Sequence, residues 1–215
     1  MIVVILDYGS GNIKSVYNSV KKTLQNFENE CHLKVSNNIF DLKHADKIIL
    51  PGVGSFNQCM QNILKINNLL ETLTNEIINK QKPFLGICVG MQILANYGYE
   101  IKKTKGLSWI SGSVKSLKNY VDNKKDIKIP HMGWNNLNLR NNNKIFQNIN
   151  NIDQFYFVHS YFFDVKDNKN VICDTYYGIN IPAIIQKDNI YGFQFHPEKS
   201  GNSGLKILNN WLKIS

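Results

Sequence analysis

The chain has 215 residues, 43% of them hydrophobic and 19% charged, with a formal net charge of +9. That is ordinary globular composition, long enough to bury a sizeable core, and no apolar run reaches the ~18 residues that a membrane span needs. The four cysteines, Cys31, Cys59, Cys88 and Cys173, are scattered without a Cys-x-x-Cys pair, which argues against a zinc site or disulfide framework and fits a reducing cytoplasm. The basic balance admits a phosphate-bearing partner. Its lysines are dispersed, however, with small clusters only at Lys102, Lys103, Lys105 and at Lys124, Lys125, Lys128, and no nucleic-acid recognition motif accompanies them. An acidic protein partner is at least as good a use of the charge.

Residues 2–6 are continuously apolar and β-branched, as expected of a strand buried on both faces. They carry no basic n-region and no small-residue cleavage site, so they read as a strand and not as a signal peptide. Tyr8-Gly9-Ser10-Gly11-Asn12 makes a turn, and Ile13, Val16, Tyr17, Val20 and Leu24 follow at helical spacing. Lys14 stands where a dinucleotide fingerprint has its third glycine, so a plain βα turn is the better reading. Further strands are expected over His32–Val35 and Lys47–Leu50. The latter ends in Pro51-Gly52-Val53-Gly54-Ser55, either an ordinary tight turn or a loop whose peptides can rotate and point an N–H into a cleft. Leu69, Leu70, Leu73 and Ile77 mark a helix ahead of the next strand.

That strand enters Lys82-Pro83-Phe84-Leu85-Gly86-Ile87-Cys88-Val89-Gly90-Met91-Gln92, with helical Met91, Ile93, Leu94 and Ala95 beyond it. Strand, sharp turn and helix with a cysteine at the apex have the mechanics of a nucleophile elbow, sulfur replacing oxygen. A thiol there meets the unpaired amides of a helix N-terminus, which favour a thiolate and can hold an oxyanion. A buried core cysteine is the alternative reading.

Strands alternating with helices imply a mostly parallel α/β sheet with helices on both faces and an active site beyond the carboxyl ends of the strands. After about residue 105 the pattern changes. Short strands are expected over Trp109–Lys115, Met132–Leu137, Phe155–Phe163, Val171–Tyr176, Ala183–Lys187 and Tyr191–Phe195, antiparallel and continuing or flanking the core, with exposed loops at Asn119–Lys128 and Arg140–Asn143. A last helix, Ser203–Leu212, has Ser203 as a reasonable N-cap. No linker divides the chain, so residues 1–215 are expected to form a single domain.

Tyr191-Gly192-Phe193-Gln194-Phe195-His196-Pro197-Glu198 ends a strand in His-Pro-Glu. Proline holds the preceding histidine extended, and residues two apart then share a face, so Glu198 can reach the ring of His196. An imidazole held by a carboxylate beside a thiol is the general form of a Cys-His-acid triad. Taken singly, the histidine can be structural and His-Pro-Glu a surface turn. His159, between apolar strand residues, can border the cleft. No His/Asp/Glu spacing suggests a metal site.

Gly-Ile-Cys-Val-Gly-Met-Gln (86–92) together with Gln-Phe-His-Pro-Glu (194–198) resembles the class I, or triad, glutamine amidotransferases. Asp7–Asn12, Pro51–Phe56, Pro130–Asn135, Val158–Tyr161 and His196–Ser200 are similar, in order, to segments of one branch of that family. That branch comprises the glutaminase subunits of imidazole glycerol phosphate synthase, in histidine biosynthesis. The resemblance implies a flavodoxin-like amidotransferase domain and no cofactor. It also implies Cys88 as nucleophile, His196 as proton carrier and Glu198 as its holder, with the N–H of Val89 and a rotated Gly52-Val53 peptide as oxyanion donors. Gln92, Glu100, Ser160 and Tyr161 match positions that hold the substrate glutamine. Lys199 would lie at the interface with a (β/α)8-barrel synthase subunit that receives the ammonia, and the isolated chain would be a slow glutaminase. Departures such as Trp109 and Ser111 fall in residues 106–117 and bear on the partner face. Rival readings are a paralogue supplying ammonia for surface-polysaccharide sugars, a catalytically silent regulatory subunit, and a free hydrolase or peptidase.

Overall fold

The computed structural model describes residues 1–28, 30–121 and 127–214; Lys124, Lys125 and part of the loop expected over 119–128 lie outside them. The first half runs β1 (Ile2–Leu6), α1 (Ile13–Leu24), β2 (His32–Ser36), α2 (Ile39–His44), β3 (Lys47–Gly52), α3 (Phe56–Lys65) and α4 (Leu69–Thr74), the last passing into a π-helical turn at Asn75–Asn79. β4 (Phe84–Cys88) and the short α5 (Val89–Gln92) follow. The second half is mostly strand: β5 (Tyr97–Tyr99), β6 (Lys103–Lys105), β7 (Gly112–Ser116), β8 (His131–Asn136), β9 (Asn138–Leu139), β10 (Gln154–His159) and β11 (Tyr161–Val165). It closes with β12 (Val171–Tyr176), β13 (Asn180–Lys187), β14 (Ile190–Phe193) and α6 (Gly201–Lys213).

Eight strands form the main sheet in the order β2-β1-β3-β4-β14-β13-β12-β9. From β2 to β14 every pair is parallel, and from β14 to β9 every pair is antiparallel. Every residue of β3 and β4 is buried. Strands apolar on both sides need cover on both faces of the sheet. α1 packs with α6, while α2 and α3 pack with α4 as a separate group. β8 pairs with β10 in a two-stranded ribbon, and β11, β7, β5 and β6 make a third sheet.

The apolar run 155–163 is not one strand. The chain changes sheets at Ser160, so β10 pairs with β8 while β11 pairs with β7. α3, unforeseen in the sequence, is capped by the Ser55 hydroxyl, which accepts from the Gln58 N–H at 3.2 Å, and it buries Phe56, Cys59, Met60 and Ile63. The last helix starts at Gly201. Ser203 is therefore not its N-cap; its hydroxyl donates to Asp153 Oδ1 at 2.6 Å, beside Lys206. Trp109 is a core residue, edge-on to Phe84 at 5.3 Å, and no part of a docking face.

Register brings the carboxyl ends of three parallel strands level. Gly52 of β3 pairs with Cys88 of β4, and Phe193 of β14 pairs with Ile87 of β4. The residue after Phe193 is Gln194, so Gly52, Cys88 and Gln194 stand side by side at one rim.

Candidate active site

Cys88 occupies φ +55°, ψ −111° at the junction of β4 and α5, a backbone conformation that side chains disfavour. Its neighbours explain how the chain holds it there. A Cβ on Gly86 would strike the Gly90 carbonyl, one on Gly90 the Leu50 carbonyl, and one on Gly52 the Gly90 nitrogen. Only glycine at these positions lets the strand turn back on itself within van der Waals distance. The sulfur is thus lifted over the end of the sheet, and α5 starts at Val89, whose N–H is among the amides a first helical turn leaves without an intrahelical acceptor.

His196 arrives from the far side of the rim. Its N–H donates to the Tyr156 carbonyl at 2.9 Å, and its carbonyl accepts from the Ser200 hydroxyl at 2.6 Å, so the backbone on which the ring stands is pinned twice. Nδ1 lies 2.7 Å from Glu198 Oε1, with both side chains almost wholly buried. Burial alone would weaken the ring's hold on a proton. Hydrogen bonds to the Cys88 sulfur and to the Glu198 carboxylate outweigh it and lift the pKa from 6.5 to about 10.

A cavity of about 370 Å³ opens onto the sulfur, lined by Cys88, His196, Val89, Gln92, Glu100 and Tyr161 among others. Val53, Ser160, His159 and Lys199 complete much of its wall. Of the eleven sequence candidates, nine line the cavity, Gly52 abuts it against Val89 and Gly90, and Glu198 stands behind the histidine. Lys199 is exposed, its ammonium 5.7 Å from the Tyr156 ring, which in turn meets Trp134 edge-on at 5.9 Å. Glu100 Oε2 accepts from the Phe56 N–H at 2.7 Å, which ties the start of α3 to the cavity wall.

The Pro51-Gly52-Val53-Gly54 segment is held at its two ends. The Tyr8 hydroxyl donates to the Pro51 carbonyl at 2.9 Å, and the Ser10 hydroxyl donates to the Val53 carbonyl at 2.7 Å, with the Cys59 sulfur 3.7 Å from that same oxygen. The Gly52–Val53 peptide lies between these two anchored carbonyls. Its rotation would be confined to one peptide unit, beside Cys88. This gives the Tyr8–Asn12 turn a job that its sequence alone did not reveal.

Two buried histidines were not assigned a role from sequence. The antiparallel register sets His131 opposite His159, and His131 Nδ1 lies 3.0 Å from His159 Nε2. The Asn135 amide donates to His131 Nε2 at 3.2 Å, so His131 donates through Nδ1, and His159 donates from its own Nδ1 to the Tyr161 carbonyl at 2.9 Å. Both rings are neutral in this arrangement. Burial depresses His131 to about 4, and burial together with the charge His131 would carry depresses His159 to about 3.

The whole chain between residues 4 and 214 matches the family model described as glutamine amidotransferase class-I. The chain belongs to that family. Among curated relatives, the subunit HisH of imidazole glycerol phosphate synthase from Pelagibacter ubique is 46% identical over 215 residues, covering 100% of both chains. The HisH 1 subunit from Campylobacter jejuni is 40% identical over 214 residues, 99% of this chain and 100% of the relative. Solved structures share the fold: a glutamine amidotransferase with TM-score 0.68 at 13% identity, covering 94% of each chain, and one from Thermotoga maritima with TM-score 0.59 at 18% identity, covering 92% of this chain and 76% of its own.

In this amidotransferase the expected α/β architecture is present, with its parallel core and antiparallel extension. Among the described residues no group of histidine, cysteine and acidic side chains is arranged to hold a metal ion, and no helix is long and apolar enough to cross a membrane. Gln194 had no role assigned from the sequence, and its amide nitrogen lies 3.9 Å from the Cys88 sulfur. Its signal was present in the motif, one position from Phe195 and two from His196, but nothing local says which way it faces.

Proposed function

We propose that this chain is the glutaminase subunit of an imidazole glycerol phosphate synthase: it hydrolyses L-glutamine to glutamate and ammonia and passes the ammonia to a synthase subunit in histidine biosynthesis. One observation carries the reading. A strained cysteine and a buried histidine meet at one cavity, with a carboxylate behind the histidine, in a chain that aligns from end to end with HisH relatives.

The chemistry follows from the positions. Cys88 attacks the side-chain carboxamide carbon of glutamine, and negative charge gathers on the carbonyl oxygen. The N–H of Val89 meets that charge, joined by the Val53 N–H once the Gly52–Val53 peptide turns. A missing donor of this kind costs roughly 10²–10³ in rate, so the chain alone turns over slowly and its partner raises the rate. His196 protonates the leaving ammonia, and Glu198 keeps the ring oriented and stabilises its charge. Water then cleaves the γ-glutamyl thioester, with His196 as base, to release glutamate. Gln92, Glu100, Ser160 and Tyr161 hold the substrate.

The partner is read as a (β/α)8 barrel seated over the cavity mouth, with Lys199 at the contact, forming a heterodimer in the cytoplasm. Residues 1–215 act as one amidotransferase domain. Direct passage keeps ammonia from being protonated in bulk water. Co-purification from the native cell tests the assignment. A histidine-pathway synthase subunit should accompany the chain, and that subunit should make imidazole glycerol phosphate from ammonium salts alone but from glutamine only when this chain is added. A sugar-modifying enzyme in the same fraction, or glutamine-dependent synthesis without this chain, would contradict it.

A further inference from the structure

Gln194 is fully buried, and its backbone N–H donates to the Ala183 carbonyl at 2.9 Å, which fixes where the side chain starts. Phe193 and Phe195 stack on each other at 5.2 Å and brace the strand on either side of it. The orientation of its amide is decided by groups that have no choice. The Tyr161 carbonyl can only accept, so Gln92 must turn its nitrogen toward that oxygen, at 2.8 Å. The same Gln92 nitrogen lies 3.0 Å from Gln194 and therefore requires the Gln194 oxygen there. The Gln194 nitrogen is left facing the Cys88 sulfur at 3.9 Å. The Tyr161 carbonyl is also claimed by His159 Nδ1, at the end of the Asn135–His131–His159 chain, so its second lone pair is occupied and it stays in place.

We propose that Gln194 is a further partner of the nucleophile, donating a side-chain N–H to the Cys88 sulfur and stabilising its anionic form together with His196. The inference deepens the glutaminase reading and rests on Cys88 being the nucleophile. Before attack, with the thiol proton on His196, and again as the thioester is cleaved, the sulfur carries negative charge, and at both points the Gln194 amide stands beside it. A hydrogen bond to a charged acceptor is stronger than one between neutral groups, so this donor favours the nucleophilic state over the neutral thiol.

The test is alkylation of Cys88 by iodoacetamide in the full chain at neutral pH, followed peptide by peptide by mass spectrometry so that Cys31, Cys59 and Cys173 do not interfere. Gln194→Met keeps the length of the side chain and removes the donor. It should slow modification of Cys88 by about tenfold, the loss of one hydrogen bond to a charged acceptor, and lower kcat of the complex similarly with the KM for glutamine changed less than about twofold. Gln194→Glu keeps an oxygen for Gln92 and turns a carboxylate on the sulfur, so modification should be slower still. Folding of each variant is checked by circular dichroism and its unfolding midpoint, and if the Met variant does not fold, the near-isosteric Glu variant decides. A folded variant whose Cys88 is alkylated at the wild-type rate, or one that raises KM and lowers the midpoint without slowing alkylation, overturns the proposal and leaves Gln194 a packing residue. Alkylation needs neither glutamine nor a partner, so this outcome stands apart from whether the complex is a glutaminase.

Discussion

Glu198 Oε1 lies 2.7 Å from His196 Nδ1, while Oε2 is buried and finds no hydrogen-bond partner among the described residues. A buried carboxylate with one oxygen unsatisfied is costly. Its bond to the His196 ring, whose own hold on a proton is raised, offsets part of that cost. Glu198→Gln keeps an acceptor for Nδ1 but removes the charge, whereas Glu198→Ala removes both. In the proposed glutaminase complex kcat should fall in the order wild type, Gln, Ala, with the Ala variant down by about 10²-fold or more, the scale of general acid–base catalysis. Equal kcat in all three would mean that His196 needs no holder.

The backbone of Cys88 makes a prediction about stability that opposes the usual order. At φ +55° a Cβ is strained and glycine is not. Cys88→Gly should therefore be more stable than Cys88→Ala by about 1 kcal/mol, although glycine normally loses to alanine within a folded element. Both variants should be inactive, since neither has sulfur. Urea unfolding midpoints of the two variants, at equal m-values, measure the difference. Alanine being the more stable would show that the elbow is unstrained.

Gly90 marks the close approach that makes the elbow possible. A Cβ there meets the Leu50 carbonyl oxygen of the neighbouring strand, so Gly90→Ala must push β3 and α5 apart. Overpacking of this kind costs about 1–3 kcal/mol, and the contact here is with backbone, which gives little. Thermal unfolding should show a midpoint lowered by several degrees, with loss of glutaminase activity as Gly52 moves from Cys88. An unchanged midpoint would contradict the packing described.

Mild acid should destabilise the chain through its two buried histidines. His131 and His159 have folded-state pKa values lowered to about 4 and about 3, against 6.5 when unfolded. Below pH 6.5 the unfolded chain binds protons that the native chain refuses, so their contribution to stability is complete above 6.5 and is lost as pH falls through the folded values. The slope is up to about 1.4 kcal/mol per pH unit for each ring. His196 has the opposite sign: its contribution is complete below 6.5 and is lost as pH rises through its folded value of about 10. Between pH 6.5 and 4.5 the two buried rings therefore dominate. His131→Asn should flatten the fall of the urea midpoint over that range; an unchanged slope would assign it to other groups.

What the sequence made legible was local. Gly86, Cys88 and Gly90 carry their turn in three positions, and His196, Pro197 and Glu198 carry theirs, because each depends on neighbours in the chain. That the two meet depends on β14 lying beside β4, which the mechanics of the motif do not specify. The break at Ser160 was hidden because residues on both sides are apolar, and hydrophobicity reports burial, not which sheet does the burying. α3 was not legible although Phe56, Cys59, Met60 and Ile63 have helical spacing behind a serine cap, because a glycine-rich turn directly precedes it and polar residues separate its apolar positions. Ser203 has the right chemistry for a cap, but Asp153, fifty residues earlier in the chain, takes its hydroxyl. Gln194 and Cys88 are separated by 106 residues, and no periodicity joins them.

Everything proposed here turns on Cys88, driven by His196, generating ammonia from glutamine. Glutamate release by the chain mixed with its synthase subunit measures this directly, in the wild type and in Cys88→Ala. Release should depend on glutamine, be slow for the chain alone and faster in the complex, and be abolished by the substitution while the complex still forms. Undiminished release from the Cys88→Ala complex, or none from the wild-type complex, would contradict it.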